Sequence, residues 1–219
     1  MKSRHLVFLV VALLLQSCQS MHSDREAAAY NTQLGLAYLK QGDRPRAKQK
    51  LLLALSEAPD SPDTNASMAY FLEKSGEMKR ARRYYRKAML MAPGNGEQLN
   101  NYGAFLCRRG QYAESDGYFL RAVNDPQYTH VAGAYENAGL CAAALSQNTK
   151  AARYFLKALQ EDPSRKQSLY ELAKLEIKQG HSAQALAHLE AYPVLLRADP
   201  TLKAMAVGIA NKLGKLANI

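Results

Sequence analysis

A small residue recurs at intervals of 34 along most of this chain, and each time it brings the same companions at the same offsets. Counting from Ala28, the set is Leu34, Gly35, Tyr38, Gly42, Ala47, Leu51, Ala54 and Pro59. A shift of 34 gives Met68, Ala69, Leu72, Gly76, Ala81, Tyr85, Ala88 and Pro93. A third set, from Gly96, reads Tyr102, Gly103, Leu106, Gly110, Ser115, Phe119 and Ala122, with Pro126 one place early. Apolar residues at helical spacing, a glycine midway and a proline at the end describe two helices per period. The small residue three places before the apolar one marks where those two helices cross. Units of this kind cannot cover their apolar faces alone, so each must stack on the next.

These landmarks resemble the tetratricopeptide repeat (TPR), a helical hairpin of about 34 residues. The implied fold class is all-α, a right-handed superhelical solenoid of five repeats plus a degenerate sixth or capping helix. The repeats fall at 28–61, 62–95, 96–131, 132–165 and 166–198, with the partial sixth at 199–219. Thirty-six residues separate Gly103 from Gly139, so two extra residues lie in Asp125-Pro126-Gln127-Tyr128-Thr129-His130, a longer turn. The fourth repeat keeps Ala138, Gly139, Ala142, Ala151, Phe155, Ala158 and Pro163 but puts Ser146 where glycine is usual, which predicts a looser turn. The fifth keeps Leu172, Ala173, Gly180, Ala185 and Leu189 and then decays, with Pro193 cutting its second helix short. Leu202, Met205, Ala206, Ile209 and Leu213 give the last segment one apolar stripe to close the stack.

The amino terminus has a different logic. Lys2 and Arg4 precede ten unbroken apolar residues, Leu6 to Leu15. That run is too short to cross a bilayer as a helix but suits the core of a secretory signal. It ends in Leu15-Gln16-Ser17-Cys18, which resembles a bacterial lipobox with Cys18 as the lipidated residue. Residues 1–17 are then a lipoprotein signal peptide and 18–27 a lipidated tether. Gln19, in place of aspartate, implies transfer to the outer membrane, giving a lipid-anchored protein on its periplasmic face. The net charge of +10 suits an acidic partner or anionic lipid, and export makes nucleic acid a poor candidate. The most basic run, Lys79 to Lys87, is either a solvated outer face or a docking surface for acidic protein or anionic head groups.

No motif points to catalysis. Gly-x-Ser-x-Gly, phosphate-cradling glycine loops and His-Glu-x-x-His are missing, and the five histidines are scattered. The reading is a non-enzymatic scaffold with no cofactor, no metal and no small-molecule substrate. The first-helix positions that line the inner groove of such repeats nominate Leu36, Leu39, Lys40, Tyr70, Lys74, Asn100, Asn101, Ala104, Arg108, Asn137 and Leu140, together with Thr32 and Glu73. Asn101 and Asn137 hold the same repeat position and either bond an extended peptide or tie a neighbouring group. Cys107 and Cys141 sit on adjacent first helices. They either bridge the third and fourth repeats or pack as two buried thiols.

Three stretches carry a closer resemblance: Asn100-Asn101-Tyr102-Gly103-Ala104-Phe105-Leu106-Cys107, Ala138-Gly139-Leu140-Cys141-Ala142 and Asn124-Asp125-Pro126-Gln127-Tyr128. With the lipobox and the repeats, they are similar to the type IV pilus biogenesis lipoproteins, the PilF/PilW pilotins. The resemblance implies an outer-membrane lipoprotein that assists localisation and multimerisation of the pilus secretin, its protein partner. Family members often carry an aromatic residue where Ala104 stands. The alternative is an outer-membrane TPR adaptor that recruits cell-wall hydrolases or proteases.

Overall fold

The computed structural model describes residues 23–215. The signal segment, Cys18, Gln19 and the last four residues lie outside the described residues. The chain divides into two compact units, Met1–Pro93 and Gly94–Ile219. Among the described residues every regular element is a helix.

The first unit holds α1 (23–40), α2 (Arg44–Glu57), α3 (Pro62–Lys74) and α4 (Met78–Met91). Residues 23–27, expected in the tether, already belong to α1. The second unit holds α5 (Gly96–Arg108), α6 (Tyr112–Val123), α7 (Val131–Ala144), α8 (Asn148–Glu161), α9 (Lys166–Lys178), α10 (Ser182–Glu190), α11 (Pro193–Ala198) and α12 (Pro200–Lys212). Pro193 opens the short α11, and α10 has only nine residues. The last helix starts at Pro200 because Asp199 caps it, accepting from the N–H groups of Thr201 and Leu202.

Each hairpin closes at the predicted small residue. A Cβ on Gly35 would stand 2.6 Å from Leu51 Cγ, and one on Gly139 would stand 2.6 Å from a Phe155 ring carbon. Gly103 meets Phe119 in the same way, at 3.1 Å. Leu51, Phe119 and Phe155 are buried almost completely. Covering a ring of that size contributes about 1.5–3 kcal/mol, so the small residue is the condition for the large one. In the second unit these contacts merge into one core running from Ala104 and Phe119 through Leu159 and Leu172 to Leu202 and Ile209.

The turn at Ser146 differs from the expectation. Ser146 adopts φ 57°, the left-handed conformation of Gly42, Gly76, Gly110 and Gly180. Its N–H bonds Ala143 O at 2.9 Å and the Gln147 N–H bonds Ala142 O at 3.0 Å. Gly110 and Gln111 make the corresponding bonds at 2.9 Å each. The turn is therefore as tight as the others, because helix α7 still needs its last carbonyls satisfied and serine accepts the strain.

Candidate partner-binding site

In the second unit, the first helices α5, α7 and α9 are coupled side chain to side chain. Asn137 Nδ2 donates to Asn100 Oδ1 at 3.0 Å, joining α7 to α5. One turn and more further along, Cys107 and Cys141 are joined sulfur to sulfur, with their Cα atoms 5.7 Å apart. Ser115 Oγ lies 2.9 Å from Cys141 Sγ and donates to Tyr112 O, so α6 supports the same point. On the other flank, Ser168 Oγ donates to Glu136 Oε2 at 2.8 Å, and Arg165 Nη1 stands 3.6 Å from Glu136 Oε1. These couples fix how far apart the helices stand.

Around this frame lie the second unit's nominated residues. Leu140 is 37% exposed, Ala104 is buried, and Asn100, Asn101 and Asn137 are half-buried. Arg108 is exposed at the end of α5. Asn101 does not join the inter-helix pair; its Nδ2 donates to Glu97 Oε1 at 3.4 Å, one turn back on its own helix. The Asn100–Asn137 pair uses one donor and one acceptor, and an amide pair of this kind keeps an N–H and a carbonyl lone pair for a further partner.

The first unit carries its own face on α1 and α3. Leu36 and Leu39 are half-buried, Lys40 is exposed, and Tyr70 is 38% exposed with Lys74 Nζ 5.3 Å from its ring centroid. Two residues nominated beside them are not on that surface. Thr32 is buried, its hydroxyl 3.2 Å from that of Thr64, and Glu73 is buried, accepting from Tyr85 OH at 3.0 Å. Both do structural work because their positions point at the neighbouring helix rather than at the opening. Glu176 repeats the arrangement in the second unit, buried and 2.9 Å from His188 Nδ1.

Sequence reasoning missed several of these couples. Asp116 accepts from Tyr154 OH at 2.9 Å and from Lys150 Nζ at 2.7 Å, tying α6 to α8. Burial, with the Asp116 bond behind it, pushes the Tyr154 phenol well above its usual range. A signal did exist: Thr32 with Thr64, and Glu136 with Ser168, both pair position five of one repeat with position three of the next. Among the described residues no group of three His, Cys, Asp or Glu side chains could hold a metal ion, and no helix is long and apolar enough to cross a membrane.

A tetratricopeptide-repeat model matches residues 62–95 and 132–165, and a second such model matches 32–61. The chain is 34% identical over 154 residues to the type IV pilus assembly protein PilF of Pseudomonas aeruginosa, covering 70% of this chain and 61% of that protein. The match thus spans under two thirds of that relative's length. Solved structures agree over longer stretches. The crystal structure of PilW, described as a widely conserved type IV pilus biogenesis factor, superposes with a TM-score of 0.73 at 28% identity, over 85% of this chain and 86% of PilW. The structure of Pseudomonas aeruginosa PilF gives 0.72 at 28% identity, over 87% and 92%.

Helical hairpins closed by small residues, with a coupled inner row of first helices, define a TPR scaffold, a class that works by holding other proteins. Within that class the chain belongs to the family of PilF and PilW.

Proposed function

We propose that this protein is an outer-membrane lipoprotein of type IV pilus biogenesis, a pilotin that holds a segment of the pilus secretin and promotes its multimerisation. The observation that carries the reading is the α5–α7 face: exposed Leu140 beside an amide pair, on two helices locked at fixed spacing. An amide pair and an apolar step suit an extended or helical peptide, and a frame fixed beforehand loses little freedom on binding. The family supplies the pilus context, and the lipobox at Cys18 supplies the anchor that would concentrate secretin at the membrane.

The test separates anchor from face. Cys18→Ala should release the protein from the membrane fraction and reduce secretin multimers. Leu140→Glu, at an exposed site, should leave the protein folded and anchored yet weaken secretin capture by about tenfold or more, since a carboxylate would have to be desolvated against the partner. Unchanged multimers with both variants would remove the proposal.

A further inference from the structure

Helix α4 reads Met-Lys-Arg-Ala-Arg-Arg-Tyr-Tyr-Arg-Lys-Ala-Met-Leu-Met and contains no acidic residue. Ala81, Tyr85 and Ala88 are buried against the first unit. The opposite pole carries Lys79, Arg83, Arg86 and Leu90 at steps of four, three and four, which on a helix form one line. Leu90, at the C-terminal end of this line, is 68% exposed. With Met91 and the stems of Arg82, Arg83, Arg86 and Lys87 it lines a shallow depression of about 440 Å³. Glu77 pairs with Arg80 at the far end of the helix, away from Leu90.

The position of the chain's beginning is the second observation. Asp24 and Arg25, at the start of α1, share a cleft with Glu57 to Thr64, the turn between α2 and α3. That turn also receives α4: Lys87 Nζ donates to Pro59 O at 2.9 Å, and Asn65 Nδ2 contacts Met91 Sδ at 3.9 Å. The end of α4 that carries Leu90 and the start of α1 therefore lie at the same end of the first unit. Residues 19–22 separate Cys18 from the described chain, a reach of at most about 18 Å fully extended. The acidic side chains at that end, Asp24, Glu57, Asp60 and Asp63, belong to α1, the end of α2, the α2–α3 turn and the start of α3, not to the α4 line, and Glu57 accepts a hydrogen bond from Asn31.

We infer that the outer face of α4 lies on the anionic phospholipid surface to which the chain is tethered, with the Lys79–Arg83–Arg86 line on head-group phosphates and Leu90 entering the interface at the end of that line. This rests on the anchored reading above and goes beyond it by assigning an orientation. Cations on a helix face attract acidic lipid, each raising affinity several-fold, while their stems and an exposed leucine take up the apolar boundary. A charged line facing water alone gives no reason for so exposed a leucine at its end. An acidic protein partner would be matched by the charges but not placed by the tether.

The chain contains no tryptophan, so Leu90→Trp introduces a single reporter at an exposed site. The mature lipidated protein carrying it is placed on phosphatidylethanolamine vesicles with or without phosphatidylglycerol, and its fold is checked by circular dichroism. With phosphatidylglycerol, the indole emission should shift to the blue and be quenched several-fold more by brominated lipid than without it. Adding Arg83→Glu and Arg86→Glu, or the neutral pair Arg83→Gln and Arg86→Gln, should return the emission to that of an indole in water, as should high salt. An indole that reads water while the protein floats with acidic vesicles overturns the inference and leaves the anchor standing. Protein that does not float at all removes both.

Discussion

Asp125 Oδ2 accepts a 2.7 Å hydrogen bond from the backbone N–H of Gly96, twenty-nine residues earlier. The carboxylate at the end of one hairpin thus caps the helix that begins it, alongside the local cap from Asn95 to Gln98. The two additional residues of the Asp125–His130 turn now have a reason. They let the chain fold back so that Tyr128 covers Gly96, where a Cβ would lie 2.5 Å from Tyr128 Cβ and Cγ. Gly96→Ala should therefore lose about 2–3 kcal/mol in chemical denaturation, because buried Tyr128 cannot retreat. Asp125→Ala should lose about 1 kcal/mol, the usual value of a cap, and Asp125→Asn less.

Ser146 gives a prediction of the opposite sign. A left-handed conformation costs an L-residue about 1–2 kcal/mol, offset partly by glycine's greater freedom when unfolded. Ser146→Gly should raise stability by about 0.5–1 kcal/mol with helix content unchanged, and Ser146→Val should lower it by a similar amount. Paired thermal melts of the two variants check it.

Joining Cys107 to Cys141 closes a loop of 34 residues in the unfolded chain. On the chain-entropy account the double variant Cys107→Ala, Cys141→Ala should unfold about 3–4 kcal/mol more easily. Its denaturant slope should also steepen, because the unfolded chain can expand further. Protein isolated under oxidising conditions should show no titratable thiol from this pair until a reductant is added.

Acid should destabilise the fold in a defined window. Hydrogen bonds from Leu202 N–H and Lys166 hold the Asp199 carboxyl below its ordinary value of 3.8. The Ser164 hydroxyl and N–H lower Asp162, and the N–H and guanidinium of Arg46 lower Asp43. Each folded carboxyl binds its proton less readily than the unfolded one. The unfolded chain therefore gains protons first, and stability present above about pH 4–5 falls as pH drops through the lowered values. Denaturation midpoints should be level from neutral pH to about 5 and decline below it, with Asp199→Asn flattening part of the decline.

The hairpins were legible because their landmarks are requirements internal to one repeat. Gly139 must be small for Phe155, and both lie within the same 34-residue frame. The same frame put Cys107 and Cys141, at positions twelve and ten of consecutive repeats, on neighbouring first helices, where the two sulfurs are joined. It did not give Asn137 with Asn100, because that pair depends on the stagger between consecutive repeats, and the recurrence shared by Glu136–Ser168 and Thr32–Thr64 is visible only when the two couples are set side by side. Thr32 shows the same limit and Glu73 a different one inside a single hairpin: a hydroxyl or charge at a groove position reads as exposed until Thr64 of the next repeat, or Tyr85 of the same repeat, supplies its partner. Ser146 shows the reverse case, where the conformation is kept although the residue that favours it is gone.

The sulfur link between α5 and α7 also has a mechanical meaning. A pull transmitted along the backbone from α5 would cross directly into α7 through the two sulfurs, leaving α6 out of the load path. Leu140 and the Asn100–Asn137 pair sit beside that strut, so a protein gripped there would be held by helices that the sulfur link keeps from separating under tension.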